Sequence, residues 1–337
     1  MKHIFTVFCA VAFMVTAANA AHTPRKQHKP VKITRRTTDL SQANNPHTTS
    51  VVAARTNGPA VLRAQILLDR ASFSPGEIDA AYGPNLRSAI RGFQTAHQLP
   101  VTDEVGRETW EILDMDAEPI LISYEISAED VAGPFEEIPS DIKERATLQA
   151  LGYQSPIELL GEKFHVNPRV LRLLNKGKAF DKEGEHILVP NVRIAAEPVR
   201  KAASILVRKI YMTISALDAQ GMVIAQFPAS AGSEHDPLPI GKWKINGVAR
   251  NPPFHYNPAL FWDAEPGNSA ARIAPGPNNP VGVVWIDLSK PHYGIHGTPE
   301  PSQVGHVQSH GCIRLTNWDA MRLAGMVSPG MTAILTE

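Results

Sequence analysis

Apolar residues fall at helical spacing twice in the first third of the chain. Val61, Leu62, Ile66 and Leu68 follow Pro59, with Gln65 among them, and Leu86, Ala89, Ile90 and Phe93 follow Pro84. Recurrence every three to four residues places such side chains on one face of a helix. Proline suits a first helical turn because its missing N–H would have no partner there. Between the two runs, "SPGEIDAAYGP" (74–84) is rich in turn formers, and "GRETWEIL" (106–113) reads as a third short helix. Residues 59–116 are therefore expected as a small helical domain.

The pattern then loosens. Acids and prolines mark 117–154 as a connector, most clearly over 117–140. Residues 155–192 hold two short helical stretches, a glycine turn and a β-like "HILVPN". From about 201 the chemistry shifts to β-branched and aromatic residues. "ASILVRKIYMTISALD" and "MVIAQFPASAG" are separated by Gln220-Gly221, a hairpin signal. Further strands are expected at 241–245, 282–289, 293–298 and 332–337, with a proline- and asparagine-rich loop over 246–280. One late helix, 317–327, carries Trp318, Met321, Leu323, Ala324 and Val327. Short strands, long loops and one helix predict a mainly-β sandwich or barrel for 201–337.

The first residues bear on compartment. Lys2 and His3 precede an apolar run to Ala18, then Ala18-Asn19-Ala20. A charged start, a short apolar core and a small-x-small site form the pattern of a signal peptide, here 1–20. The run is short for a membrane span, and no later segment approaches one. Residues 21–58 carry Arg25, Lys26, Lys29, Lys32, Arg35, Arg36 and Arg55 against Asp39, with few large apolar side chains. They are expected as a disordered basic linker. Over the whole chain Lys plus Arg equals Asp plus Glu, 33 each, so no charge excess points to nucleic acid.

Only two cysteines exist among 337 residues, Cys9 and Cys312. Removal of 1–20 leaves Cys312 alone, and an unpaired cysteine in an exported protein marks either an intermolecular bond or a reactive thiol. Four histidines stand near it: His292, His296, His306 and His310. An imidazole that takes the thiol proton turns cysteine into a nucleophile. His310, two residues from Cys312, projects to the same side if the segment is extended. Gly294, Gly297 and Gly311 leave nearby backbone N–H groups uncovered, able to hold an oxyanion, and Arg314 can grip a carboxylate. Two other readings stand beside this one. Cys312 can be inert core, or the i,i+4 pairs His292/His296 and His306/His310 can chelate zinc on helices, although Pro291 and the glycines oppose helix there.

Three resemblances follow from these motifs. "HGTPEPSQVGHVQSHGCIRL" (296–315), with "PIGKW" (239–243), "NPPFHYNP" (251–258) and "IAPGPNNPVG" (273–282), resembles the L,D-transpeptidase catalytic (YkuD-like) family over roughly 203–337. "GEIDAAYGPNLRSAIRGFQTAHQLPVTDEVGRETWEIL" resembles the peptidoglycan-binding three-helix domain, and "ELLGEKFHVNPRVLRLLN" with "ILVPN" looks like a degenerate LysM module. The implied architecture is multi-domain: a small all-α domain at 59–116, a small α+β LysM-like module at 155–192, and a mainly-β L,D-transpeptidase sandwich or barrel at 201–337. The family resemblance implies Cys312 as nucleophile, His296 as proton donor and acceptor, and His310 and Ser309 as orienting groups. It also implies the Gly311 and Cys312 N–H groups as oxyanion hole and Arg314 as a substrate contact. Tyr293 and Trp262 are candidate pocket aromatics; His292 and His306 are expected to be dispensable. It implies no metal or organic cofactor. The expected partners are peptidoglycan stem peptides and glycan, with a second stem, an outer-membrane lipoprotein or water accepting the acyl group, at a periplasmic, wall-associated location. A wall cysteine peptidase and a non-catalytic peptidoglycan-binding protein are the competing functions.

Overall fold

In the computed structural model, residues 39–192, 200–265, 267–309 and 311–337 are described. The expected signal peptide and linker residues 21–38 lie outside them. The rest of the expected linker is packed. Leu40, Ala43 and Val52 are buried, the Asn44 side chain bonds the backbone of Leu121 through both its polar atoms, and Trp110 Nε1 donates to the carbonyl of Ser50. A few apolar side chains per segment are enough when a neighbouring helix supplies the rest of the core, and sequence composition cannot reveal that neighbour.

The helical part forms as the spacing predicts: α1 (Pro59–Arg70), α2 (Pro84–Ala96) and α3 (Arg107–Leu113). The expected connector then supplies a strand, β1 (Leu121–Glu125), followed by the one-turn helices α4 (Ala128–Val131) and α5 (Ile142–Arg145). Helices α6 (Pro156–Lys163) and α7 (Pro168–Leu174) lead to β2 (His186–Pro190), which pairs antiparallel with β1. So the connector is structural: it carries the partner strand that 155–192 lacks. Most buried apolar side chains between Leu40 and Val192 share one core, with Leu62, Ile66, Leu160 and Phe164 all fully buried in it, whereas Leu151 packs with Ile273 and Ala274.

The remaining strands are β3 (Ser204–Arg208), β4 (Thr213–Leu217), β5 (Val223–Pro228), β6 (Ser230–Ala231) and β7 (Gly241–Arg250). There follow β8 (Phe254–Tyr256), β9 (Ala271–Ile273), β10 (Val284–Leu288), β11 (Gly294–His296), β12 (Ile313–Arg314) and, after helix α8 (Asn317–Met326), β13 (Thr332–Thr336). Nine of them form one sheet in the order β5-β4-β3-β13-β7-β10-β11-β12-β6. Only Ala229 separates β5 from β6, yet they are opposite edges of that order, so the sheet must curl until its edges meet. The mainly-β, barrel-like reading with one late helix holds. The expected loop 246–280 is partly ordered: β7 runs on to Arg250, and β8 pairs with β9.

The helical part docks on the barrel through backbone and buried charge. Ser74 N–H donates to Gln226 C=O and Gln226 N–H to Ser72 C=O, both at 2.9 Å. The Gln226 amide fills the space a side chain at Gly92 would need and donates to Ser88 C=O at 2.7 Å. Asp69, fully buried on α1, meets His165 at 3.2 Å and Arg322 of α8 at 3.3 Å. Burial alone would raise its pKa; Arg322, then His165, outweigh burial and hold it at about 2.

Asp69→Ala is expected to cost about 3–5 kcal/mol, because it strands a buried guanidinium. A depressed carboxyl pKa contributes stability above the unfolded value, near 4, and loses it as pH falls towards about 2. Thermal melts of both proteins across that window should converge at the acid end. A gap that stayed constant with pH would assign the cost to packing alone.

Candidate active site

Two short parallel strands build the site. Ile295 lies opposite Ile313, and His296 opposite Arg314. Ile295 and Ile313 are fully buried in the barrel core. Side chains alternate along a strand, so Gly294 and His296 face the other way, together with Cys312 and Arg314. The excursion between His296 and Cys312, residues 297–311, returns in register, and Leu315 N–H closes it on His296 C=O at 2.8 Å.

His296 is 4% exposed. Its Nδ1 lies 2.7 Å from the carbonyl of Gly297. A carbonyl only accepts, so Nδ1 carries the hydrogen and Nε2 keeps its lone pair. Burial, aided by the Arg314 charge and partly offset by the Gly297 bond, lowers its pKa to about 4. The ring stacks on Trp285 of β10, centroids 5.6 Å apart and planes 18° apart, as the β10–β11 register places them opposite each other. Asn317, at the start of α8, braces this corner from below. Its Oδ1 accepts from Val283 N–H at 3.2 Å and occupies the space of any side chain at Gly297. Its Nδ2 donates to Glu162 of α6 at 2.9 Å, and burial pushes Glu162 up to about 7.

Cys312 is a free thiol, partly exposed, whose Sγ donates to His292 C=O at 3.6 Å. Burial raises its pKa; the Gly294 N–H and Arg314 lower it, and the Asp236 carboxylate raises it further. The resting pair is therefore a neutral thiol and a neutral imidazole. Ser309 Oγ accepts from Gly232 N–H at 2.8 Å and donates to Cys312 C=O at 2.5 Å, tying the cysteine turn to the end of β6. Gly311 has φ +90°, and a Cβ there would fall 2.9 Å from the Tyr293 ring, so only glycine fits both the backbone and the neighbour.

The structure thus brings together Cys312, His296, Ser309, Gly311, Arg314 and Tyr293. Trp262 is 61% exposed and stacks on His235 at 4.5 Å, in the loop that carries Asp236. His310 lies outside the described residues. His292 contributes its carbonyl, while His306 is exposed. His292 and His296 sit in a turn and a strand, so they do not form the i,i+4 helical chelate. Among the described residues no three His, Cys, Asp or Glu side chains group as metal ligands.

Three contributors were not singled out by sequence. Trp285 was one of several apolar strand residues, Asn317 a helix start, and Asp236 a loop acid; only strand register and helix docking give them roles. Gly294→Ala tests the Trp285 arrangement, because the indole occupies the space of the new methyl. Overpacking of about 1–3 kcal/mol is expected, read as a lowered melting temperature. An unchanged melt would mean that the indole moves freely, and the stacking under His296 would then be incidental.

Residues 203–335 match the family model described as "L,D-transpeptidase catalytic domain" (YkuD), and residues 57–113 match "Putative peptidoglycan binding domain". The "Putative L,D-transpeptidase YkuD" of Bacillus licheniformis is 48% identical over 62 residues, 18% of this chain and 38% of that protein. The protein of the same name in Bacillus subtilis is 50% identical over 54 residues, 16% of this chain and 33% of that protein. The similarity therefore spans little more than a third of these relatives. Among solved structures, an L,D-transpeptidase from Xylanimonas cellulosilytica matches 84% of this chain and 96% of its own, at 15% identity and a TM-score of 0.36.

Proposed function

We propose that this chain, with an L,D-transpeptidase catalytic domain behind a peptidoglycan-binding domain, is a cysteine acyltransferase of the bacterial wall. The observation that carries the reading is the pairing of β11 with β12, which sets His296 beside the strand that Cys312 immediately precedes, with the ring hydrogen on Nδ1 so that Nε2 is the nitrogen able to take a proton.

The reaction is a ping-pong acyl transfer. As Cys312 sulfur attacks the carbonyl of the third residue of a stem tetrapeptide, its proton passes to His296 Nε2. The C–N bond to the terminal D-alanine breaks, and His296 returns that proton to the leaving amine. The acyl group now sits on sulfur as a thioester. The Gly311 and Cys312 N–H groups would hold the oxyanion formed in each half-reaction. Arg314 faces the same way and supplies positive potential to the thiolate and to the substrate carboxylate. An amine from a second stem gives a 3→3 crosslink; a lipoprotein amine gives a tethered protein; water gives carboxypeptidase action.

The wall-binding part is fixed to the catalyst through Asp69 and Gln226 rather than hung on a flexible chain. Binding of glycan by 57–113, with the LysM-like 155–192 as a second contact, would then set the position of the catalyst on the polymer as well as its local concentration. The export signal read over 1–20 belongs to the same proposal, with the wall-associated periplasm as its site of action. No helix among the described residues is long and apolar enough to cross a membrane.

Incubation of the protein with a disaccharide-tetrapeptide, followed by mass spectrometry of products and intact protein, tests this reading. D-Alanine release with an acyl adduct is expected. Dimers would establish transpeptidation, and tripeptide alone would favour hydrolysis or a missing acceptor. Unchanged substrate with folded protein and a free thiol would move the non-catalytic wall-binding reading forward.

A further inference from the structure

A negative charge beside a nucleophilic thiol needs a reason. Asp236 stands in the loop between β6 and β7; that loop opens at Gly232, which is bonded in both directions to Ser309 of the cysteine turn, and the Asp236 charge acts on both Tyr293 and Cys312. Its Oδ2 is shut off from solvent and has no hydrogen-bond partner, and no ion pair to this carboxylate is present among the described residues. The backbone around it is well tied: Asp236 N–H donates to Ser233 Oγ at 2.9 Å, and Ser233 N–H to Asp236 C=O at 2.8 Å. The side chain is thus presented by an ordered turn without a donor of its own. A shielded carboxylate oxygen without a donor loses its hydration with nothing in return. Its charge also opposes formation of the thiolate. Both effects work against the free enzyme, and both are reversed if a cation arrives with a ligand.

Resting on the acyl-transfer reading, we propose that Asp236 is the subsite for the primary ammonium group of the acyl acceptor. The acceptor approaches as R–NH3+, since a primary amine near pH 7 is mostly protonated, and docks its charge on Asp236 beside the thioester. One proton first leaves the docked ammonium to solvent and frees the nitrogen lone pair. As that nitrogen attacks, the C–N bond forms and the C–S bond breaks, and its second proton passes through His296 to the Cys312 sulfur. The subsite favours amines over water, which carries no charge to be held, so it determines whether the acyl-enzyme ends as a transfer product or a hydrolysis product. Trp262, stacked on His235 in the adjoining turn, borders the same approach.

The partition of the acyl-enzyme tests this. The full chain and its Asp236→Asn variant would be acylated with the same tetrapeptide and offered either a stem-peptide amine or hydroxylamine, a nucleophile that is neutral near pH 7.5. In Asp236→Asn the ratio of transfer to hydrolysis with the stem amine is expected to fall at least tenfold. Transfer to hydroxylamine and the rate of D-alanine release should be preserved or improved. An unchanged ratio with the stem amine would overturn the subsite while leaving the acyltransferase intact, and so would an equal loss with hydroxylamine. Absence of any acyl-enzyme in the unsubstituted protein would instead remove the acyl-transfer function, and the subsite with it. Asp236→Glu adds a control, since it keeps the charge and should recover part of the ratio if the charge is what matters.

Discussion

Cys312→Ala is expected to abolish D-alanine release and the acyl adduct together, a loss on the order of 10⁴-fold or more. The size follows from the chemistry. Among the described residues Cys312 is the free cysteine, and it is the proposed site of the covalent intermediate. Methyl in place of sulfur leaves Ser309, Gly311 and the β11–β12 pairing in place, so the fold should survive and the melt should move little. That separates chemistry from structure. Full turnover by the alanine variant would refute the thioester route outright. A lost adduct with hydrolysis retained would point to water attacking directly, with the site acting only by polarising the carbonyl.

Removing the base should be the next largest effect. His296→Gln is expected to slow turnover about 10²–10⁴-fold, the range typical of a positioned proton-transfer group. The pH profile is more diagnostic than the size. Activity requires a neutral imidazole, so kcat/KM should rise as pH climbs through about 4, where burial and Arg314 place this histidine. An ordinary histidine would put that limb near 6.5. On the alkaline side the limb reports the thiol, which burial and Asp236 raise above its usual value. Between the limbs the one-proton pair is fully populated, and a broad plateau is expected. An acid limb at an ordinary histidine value in the unsubstituted enzyme would mean that His296 is solvated during turnover. In His296→Gln the limb near 4 should vanish with the group that produces it.

Much of the site could be read without coordinates because its parts are close in sequence. Ser309, Gly311, Cys312 and Arg314 lie within six consecutive positions, and the alternation of side chains along an extended segment follows from backbone geometry. The motif also supplied His296, through its spacing from the cysteine. What the motif does not contain is the direction of each proton. The tautomer of His296 depends on the Gly297 carbonyl, which is held over Asn317 by the docking of α8. The reluctance of Cys312 to ionise depends on burial and on Asp236, seventy-odd residues away along the chain. Trp262, a candidate pocket aromatic, stacks on the loop residue His235, a contact the sequence does not reveal.

The fold divides in the same way. Helices α1 and α2, the β3–β4–β5 run and α8 were evident by themselves, because periodicity is a local property: each needs only that one face be apolar. Segments whose order depends on a distant partner were not. Residues 39–58 look like a linker until α1 and α3 cover their few apolar side chains. β1 looks like connector until β2 comes alongside it, sixty-odd residues later. Polar Gln226 of β5 is buried because its amide packs against Gly92 and donates to Ser88 of α2, and Ser215 of the neighbouring β4 is buried beside it. By itself, then, the sequence determined the elements with strong local periodicity and the Cys/His motif from which the proposed reaction was read. Only the tertiary structure decided which elements share a core, which charges are buried and which carboxylate faces the thiol. Local pattern is set by neighbours along the chain, whereas burial and electrostatic potential are set by neighbours in space.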